Sequence, residues 1–244
     1  MKCLILCAGY ATRLYPLTEN FPKPLLEVGG KTILDWLIDD IETANAVEEY
    51  VVVSNHKYFN NFIEWAKDKP YKITVVDDGT STNETRLGAV KDIQFAIDEL
   101  QLDTDMLVIA GDNVLDFSLA KFINYAKDKQ SSCIMRYYEA EVETLRECGV
   151  VEIDDNDRII SMEEKPSEPK SNWCCPPFYY YTKNDSSKIK DCIESGFSTD
   201  APGSFISWLC EVSPVYAMEM NGRRYDIGNL ESYEQVKREY KGII

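Results

Sequence analysis

Along about the first 140 residues, short apolar runs alternate with segments whose apolar positions recur at helical spacing. A strand covered on both faces reads as continuous hydrophobicity, whereas a core-facing helix shows apolar residues three and four positions apart. Cys3–Cys7 is the first such run, followed by Tyr50–Val53, Ile73–Val76 and Met106–Ala110. Thr32 opens a helix with Asp35 three positions on, a variant of the capping box, and Ile33, Leu34, Leu37, Ile38 and Ile41 form its apolar stripe. Phe59–Ala66 predicts a second helix, Leu87, Val90, Ile93, Ile97 and Leu100 a third, and Leu119, Phe122, Ile123 and Ala126 a fourth. This alternation predicts βαβ units, hence a Rossmann-like α/β fold with a mostly parallel, doubly wound sheet.

After residue 130 the texture changes. Cys133–Tyr138, Gly149–Ile153, Ile159–Glu163 and Phe178–Thr182 read as short strands parted by turns, an inserted mixed or antiparallel region. Pro166–Pro177, with further prolines at 169 and 176, reads as a loop, and helices are predicted near 185–195, 203–210 and 230–240. No internal repeat or low-complexity tract interrupts the chain, so one domain over residues 1–244 is expected.

Composition narrows the chemistry. With 244 residues, 44% hydrophobic and 28% charged, the chain can bury a sizeable core. Its 26 Lys and Arg against 42 Asp and Glu give a net charge of −16, a field that repels nucleic acid and anionic membrane surfaces. A small phosphorylated ligand must therefore be held by local Lys or Arg, backbone N–H groups, or a metal on carboxylates. Eight Cys without a C-x-x-C pair, and His56 as the one His, predict no zinc site. Cys3 and Cys7 read as small buried hydrophobes. The run after Met1-Lys2 is too short for a signal segment or membrane span, so a cytoplasmic location with reduced thiols is expected.

In open parallel sheets, ligands bind beyond the carboxyl ends of the strands. Ala8-Gly9-Tyr10-Ala11-Thr12-Arg13-Leu14 places small residues where a backbone can approach phosphate oxygens, with Arg13 offering a fork of donors. It matches neither G-x-G-x-x-G nor the P-loop, and alone it would equally be a tight turn. Lys23, between Pro22 and Pro24, is expected on a stiff, extended segment that presents its ammonium. Asp77-Asp78-Gly79 and Gly111-Asp112-Asn113 end two other strands. His56 reads as a surface residue, Trp173-Cys174-Cys175 as loop packing, and Tyr179-Tyr180-Tyr181 as a run with one or two rings in the core.

Leu6–Val28 resembles the signature of the sugar-1-phosphate nucleotidylyltransferases. A strand, a small-residue loop ending in Thr12-Arg13-Leu14, then Pro16-Leu17-Thr18 and Lys23-Pro24 follow at that family's spacing. Four further segments resemble its motifs in its order. Gly111-Asp112-Asn113 is similar to the first metal-binding Asp motif and Gly149-Val150-Val151-Glu152 to the sugar-contacting segment. Glu163-Glu164-Lys165-Pro166 is similar to the sugar-phosphate motif, and Tyr225-Asp226-Ile227-Gly228-Asn229 to the second metal-binding Asp motif. The resemblance covers most of the chain and points to the short, glucose-1-phosphate thymidylyltransferase-like form.

The resemblance implies the nucleotide-diphospho-sugar transferase fold, with a nucleotide-binding part to about residue 130 and a mostly acceptor-binding part over about 131–229. It implies that a nucleoside triphosphate and a sugar 1-phosphate condense to a nucleotide sugar and pyrophosphate, by positioning and charge stabilisation without a covalent nucleophile. Arg13, Lys23 and Lys165 would be the catalytic cations. Asp112 and Asp226 would hold Mg²⁺, and Ala8, Gly9, Tyr10, Ala11, Thr12, Asn83 and Gly88 would contact the nucleotide. Gly149, Glu164 and Tyr179 would contact the sugar. A homo-oligomer is compatible with this reading.

Three positions depart from the family pattern. Ala11 replaces the second loop glycine, so the loop must avoid positive φ there or bear strain. Asn83–Ala89 stands where relatives often carry a Gly-Thr-Ala-Gly type run that reads the base, which leaves the base open. Pro176-Pro177 stands where many relatives have Thr-Gly, which leaves the acceptor open. A cytidylyltransferase acting on phosphocholine or a similar phosphorylated alcohol or phosphonate would use the same chemistry. Of another class is a non-catalytic nucleotide-binding regulatory module, against which the joint presence of Arg13, Lys23, Asp112, Lys165 and Asp226 argues. A GT-A type glycosyltransferase would need a second acidic residue where Val114 stands. The short stretch after Asp226 predicts no appended β-helix acyltransferase or regulatory domain.

Overall fold

Strand β1, Lys2–Leu6, buries Cys3, Leu4 and Ile5 and pairs in parallel with β2, Glu49–Ser54, from Lys2 opposite Glu49 to Leu6 opposite Val53. Strand β3, Ile73–Asp77, continues the parallel ladder on the other side of β2. All six residues of β2 are buried, as a central strand covered on both faces requires. The computed structural model describes residues 1–243 and divides the chain into two compact units. The first contains Met1–Arg86, Ala110–Lys121 and the segment from Asn221 onward; the second contains Leu87–Ile109 and Phe122–Met220.

In the first unit, the helix Ile33–Glu42 starts where expected, with the Thr32 hydroxyl accepting from the Asp35 N–H at 3.0 Å. Its stripe of Ile33, Leu34, Leu37, Ile38 and Ile41 is buried. The helix Phe59–Ala66 buries Phe62. Because β1, β2 and β3 run parallel, the loops that follow them open on the same edge. The turn at Gly111 is tied to that edge by its N–H, which donates to Leu6 O at 3.0 Å. A Cβ on Gly111 would lie 2.5 Å from Cys7 Sγ, so a glycine is what lets this turn approach β1.

The second unit holds the mixed region. Its strands are β4 (Met106–Ala110, all but its last residue), β5 (Ser132–Tyr138), β6 (Gly149–Ile153), β7 (Ile159–Glu164), β8 (Trp173–Cys175), β9 (Phe178–Tyr181) and β10 (Val215–Glu219). Strand β9 is antiparallel to both β4 and β5, β8 to both β5 and β6, and β6 to β7, while β10 lies parallel to β5. The parallel ladder and the antiparallel region expected from the sequence are thus both present.

Some elements differ from expectation. Trp173–Cys175, read as loop, is a strand, because pairing with two neighbours stabilises three residues that carry no strand pattern between prolines. Val215–Glu219 is a strand that hydrophobicity did not announce; its buried Val215 and Ala217 pack beside β5. The helix expected near 185–195 is two, Lys183–Ser186 and Ile189–Glu194, and the third helix starts at Ala89 rather than Leu87. Tyr179, Tyr180 and Tyr181 are all buried, more than the one or two rings expected. All eight cysteines are free thiols, with Cys3 and Cys7 buried. Among the described residues no helix is long and apolar enough to cross a membrane.

Candidate active site

In the first unit a cavity of about 450 Å³ is lined by Gly9, Ala11, Thr12, Arg13, Lys23, Asp112 and Asp226, with Ile227 and Gly228 beside them. Residues from four distant stretches of sequence therefore share one wall. The first stretch is the loop after β1. Ala11 takes φ 45° and ψ 44°, so the loop bears the strain that a non-glycine residue pays there, about 1–2 kcal/mol. It opens the one-turn 3₁₀ helix Thr12–Leu14, closed by the Leu14 N–H donating to Ala11 O at 3.0 Å. Arg13 is exposed on this turn and has no ion-pair partner among the described residues.

Lys23 is not on an extended segment, as expected, but is the first residue of a second 3₁₀ turn, Lys23–Leu25; Pro22 before it is extended. The Leu26 N–H closes that turn on Lys23 O, which keeps the segment stiff. The ammonium donates to Asp112 Oδ2 at 2.9 Å, with the Lys23 side chain 11% exposed and that of Asp112 45%. Partial burial raises the Asp112 carboxyl pKa, but the Lys23 charge and hydrogen bond outweigh it and, with Arg224 nearby, hold it below the usual value. Asp112 is ionised in this setting.

Asp226 reaches the same cavity through a two-residue antiparallel ladder, Arg224 opposite Leu115 and Tyr225 opposite Val114. After it, Asn229 caps the helix Leu230–Glu239 by accepting from the Ser232 N–H at 2.9 Å. Arg224 also donates to Asn113 Oδ1 at 3.3 Å, while the Asn113 amide donates to Ala110 O at 2.8 Å, bracing the Asp112 turn. Arg224 was not a sequence candidate; its position two residues before Asp226 was the available signal.

The donor set suits a hard divalent cation. Asp112 and Asp226 supply carboxylate oxygens to one cavity, and Asp226 is exposed without an ion-pair partner among the described residues. No group of three or more His, Cys, Asp or Glu among the described residues could hold a metal by itself. Two carboxylates, with the other positions left to phosphate and water, is how Mg²⁺ is commonly bound.

Three nucleotide candidates of this unit lie off the cavity wall. Ala8 and Tyr10 are buried: Ala8 O accepts from the Asn55 side chain at 2.9 Å, and the Tyr10 hydroxyl meets Thr80 Oγ1 at 3.3 Å. Asn83 is exposed in the turn Asn83–Thr85, its Oδ1 accepting from Arg86 at 3.3 Å. His56 is exposed, as expected, with Nδ1 2.6 Å from Asp77 Oδ2.

The second unit gathers its own cluster. A Cβ on Gly203 would stand 1.9 Å from Glu164 Oε1, and one on Gly149 3.1 Å from it, so two glycines make room for this carboxylate. Burial raises the Glu164 pKa, partly countered by Lys165. The Tyr179 ring is buried, stacks on Tyr181 at 5.9 Å, and its hydroxyl is in contact with the Cys175 thiol. Lys165 is exposed at φ 49°, with its N–H donating to Cys148 O at 2.9 Å. Gly88, at φ 92°, is closed in by Thr199, whose carbonyl oxygen would lie 2.5 Å from a Cβ. Gly203 had no local sequence signal, since its role is set by Glu164 packing against it.

The sequence profile of the family described as nucleotidyl transferase matches residues 2–242. The chain is 32% identical over 235 residues to the bifunctional protein GlmU of Methanocaldococcus jannaschii, covering 93% of this chain and 51% of that protein. It is 26% identical over 251 residues to a glucose-1-phosphate adenylyltransferase of Fervidobacterium nodosum, covering 97% of this chain and 60% of that one. The chain thus spans about half the length of the first of these relatives. A crystal structure of apo UDP-glucose pyrophosphorylase superposes with a TM-score of 0.83 at 18% identity, over 97% of this chain and 96% of that one, which establishes the shared fold.

Proposed function

The chain belongs to the nucleotidyl transferase family, and from that premise we propose that it joins a nucleoside triphosphate to a sugar 1-phosphate, releasing pyrophosphate. The observation that carries this reading is the meeting of Arg13, Lys23, Asp112 and Asp226 on the wall of one cavity, in a chain whose net charge is −16. Such a protein holds polyphosphate only where cations and a metal are concentrated locally. The relative named glucose-1-phosphate adenylyltransferase supports the sugar phosphate as acceptor.

In the proposed reaction an oxygen of the sugar phosphate forms a bond to the α-phosphorus. The bond from that phosphorus to the α,β-bridging oxygen breaks, and its electron pair leaves with pyrophosphate. Lys23 and Arg13 neutralise charge on the triphosphate, and the loop Gly9–Thr12 offers backbone donors to it. Asp112 and Asp226 would hold Mg²⁺, which when bound supplies charge neutralisation to the phosphates. In the second unit, Lys165 pairs with the sugar phosphate, while Glu164 accepts from sugar hydroxyls and Gly149 lines their pocket.

The test is pyrophosphate release across ATP, CTP, GTP, UTP and dTTP, each with sugar 1-phosphates and with phosphocholine, with and without Mg²⁺. Metal-dependent release with a sugar 1-phosphate is expected. Release with phosphocholine alone replaces the acceptor, and binding of a triphosphate without release in any pairing leaves a regulatory module instead.

A further inference from the structure

We propose that Thr18 and Tyr58 form a latch that holds Ala11 in its left-handed conformation and so keeps the triphosphate loop ready for its ligand. Neither residue lines the cavity, so both are positioning residues. The inference rests on the nucleotidyl-transfer reading above.

Ala11 is the one strained point of the loop, and a left-handed alanine persists only where its surroundings over-determine it. Two donors converge on its carbonyl oxygen: the Leu14 N–H at 3.0 Å and the Thr18 hydroxyl at 2.7 Å. Thr18 is itself fixed, since its side chain is completely buried and its carbonyl oxygen accepts from the Tyr58 hydroxyl at 2.6 Å. The same hydroxyl lies 3.3 Å from Tyr10 O, the residue before Ala11. Tyr58 spans both ends of the loop from Tyr10 to Thr18.

The latch is anchored below. Tyr58 is 1% exposed and its N–H donates to Asn55 Oδ1 at 3.1 Å, while the Asn55 amide donates to Ala8 O at 2.9 Å. Asn55 directly follows β2, so the loop after β1 is tied to the end of its neighbouring strand. Burial, with the Tyr15 and Tyr10 hydroxyls nearby, pushes the Tyr58 phenol up to about 12, so it keeps its proton and remains a donor at neutral pH. Thr12 and Arg13, which face the cavity, follow Ala11 directly, and a change at Ala11 redirects both.

The test uses Thr18→Val, which removes the hydroxyl at nearly constant shape, in the natural chain and in an Ala11→Gly background. Glycine takes the left-handed conformation freely, so the latch should matter less there. Amide hydrogen exchange of the protein alone and calorimetric affinity for the triphosphate that supports turnover are both measured. Expected in the natural background are at least about tenfold faster exchange at Leu14, unchanged exchange in β1, and about tenfold weaker triphosphate binding, a difference of about 1.4 kcal/mol. The KM for the triphosphate rises accordingly, and that for the acceptor stays put. In the glycine background the same substitution should cost under about threefold in affinity. Unchanged Leu14 exchange, unchanged affinity, or an equal loss in both backgrounds overturns the latch. Wild-type protein that binds no triphosphate overturns the nucleotidyl-transfer reading and this role together. Tyr58→Phe is a second variant, expected to give the same pattern.

Discussion

The Lys23 ammonium and the Asp112 carboxylate, 89 positions apart in sequence, meet at 2.9 Å on the wall of the cavity. The pair links the turn Lys23–Leu25 to the turn after β4, and in the proposed reaction each member would have a second use when phosphates arrive. Lys23 can turn its charge to a phosphate oxygen, and Asp112 can then serve a cation. Lys23→Ala and Asp112→Asn are each expected to lower turnover at least about tenfold, as loss of a charge-stabilising group at a reacting phosphate does. Asp112 is 45% exposed, so the pair contributes little to folding and both variants should melt within a few degrees of wild type. Steady-state pyrophosphate release and thermal melts check this, and full activity in either variant removes that residue from the reaction.

Gly203 leaves no room for a side chain: an added Cβ would stand 1.9 Å from Glu164 Oε1 and 2.4 Å from Met162 Cε. Gly203→Ala must displace the Glu164 carboxylate, and overpacking of this kind costs about 1–3 kcal/mol. The expected result is a raised KM for the sugar phosphate with little change in the KM for the triphosphate. A variant with both constants unchanged would remove Glu164 from the acceptor pocket.

How much of this was legible in the sequence follows from where each signal is stored. The parallel strands were legible because two-sided burial demands unbroken apolar runs such as Val51–Val53. Strand β8 was not, because Trp173–Cys175 becomes a strand only through its neighbours β5 and β6. Arg13, Lys23 and Asp112 could be picked out from residue type and position, and Asp226 from the resemblance to the sugar-1-phosphate nucleotidylyltransferases, but their convergence depends on ladders such as Arg224–Tyr225 with Val114–Leu115. The Ala11 substitution posed a choice between avoiding positive φ and bearing it. The outcome depends on hydrogen bonds from Leu14 and Thr18 to a single carbonyl oxygen, which no periodicity encodes.

Lys165 stands at φ 49° immediately before Pro166, where a residue normally takes an extended conformation. It is exposed and has no ion-pair partner among the described residues, and beyond partly offsetting the cost of the buried Glu164 carboxylate its ammonium contributes little to the fold. Lys165→Ala keeps the backbone strain and removes only the charge. Turnover is expected to fall at least about tenfold with the melting temperature within a few degrees of wild type. Lys165→Gly should lose the same activity while relieving the left-handed strain, so its melting temperature should not fall below that of Lys165→Ala. Activity retained by both variants would show that the acceptor phosphate is held elsewhere.

Glu164 couples the proposed acceptor cluster to stability through pH. Burial raises its pKa above 4.5, and the Lys165 charge only partly offsets the effect. A carboxyl with a raised folded pKa binds its proton more tightly folded than unfolded. Stability therefore falls as pH rises from the unfolded value through the folded one. At low pH both states are protonated and the group costs nothing. At neutral and alkaline pH the folded protein must ionise a partly buried carboxyl that the unfolded chain ionises freely. Glu164→Gln removes that cost, so its melting temperature should match wild type near pH 4, exceed it by a margin that grows as pH rises through the folded pKa of the carboxyl, and keep that margin above it. Its activity should move the other way, with a raised KM for the sugar phosphate, because an amide accepts hydroxyl hydrogen bonds less strongly than a carboxylate. A melting-temperature difference that stays flat with pH, or that turns negative above pH 6, would mean that burial is not what governs this group.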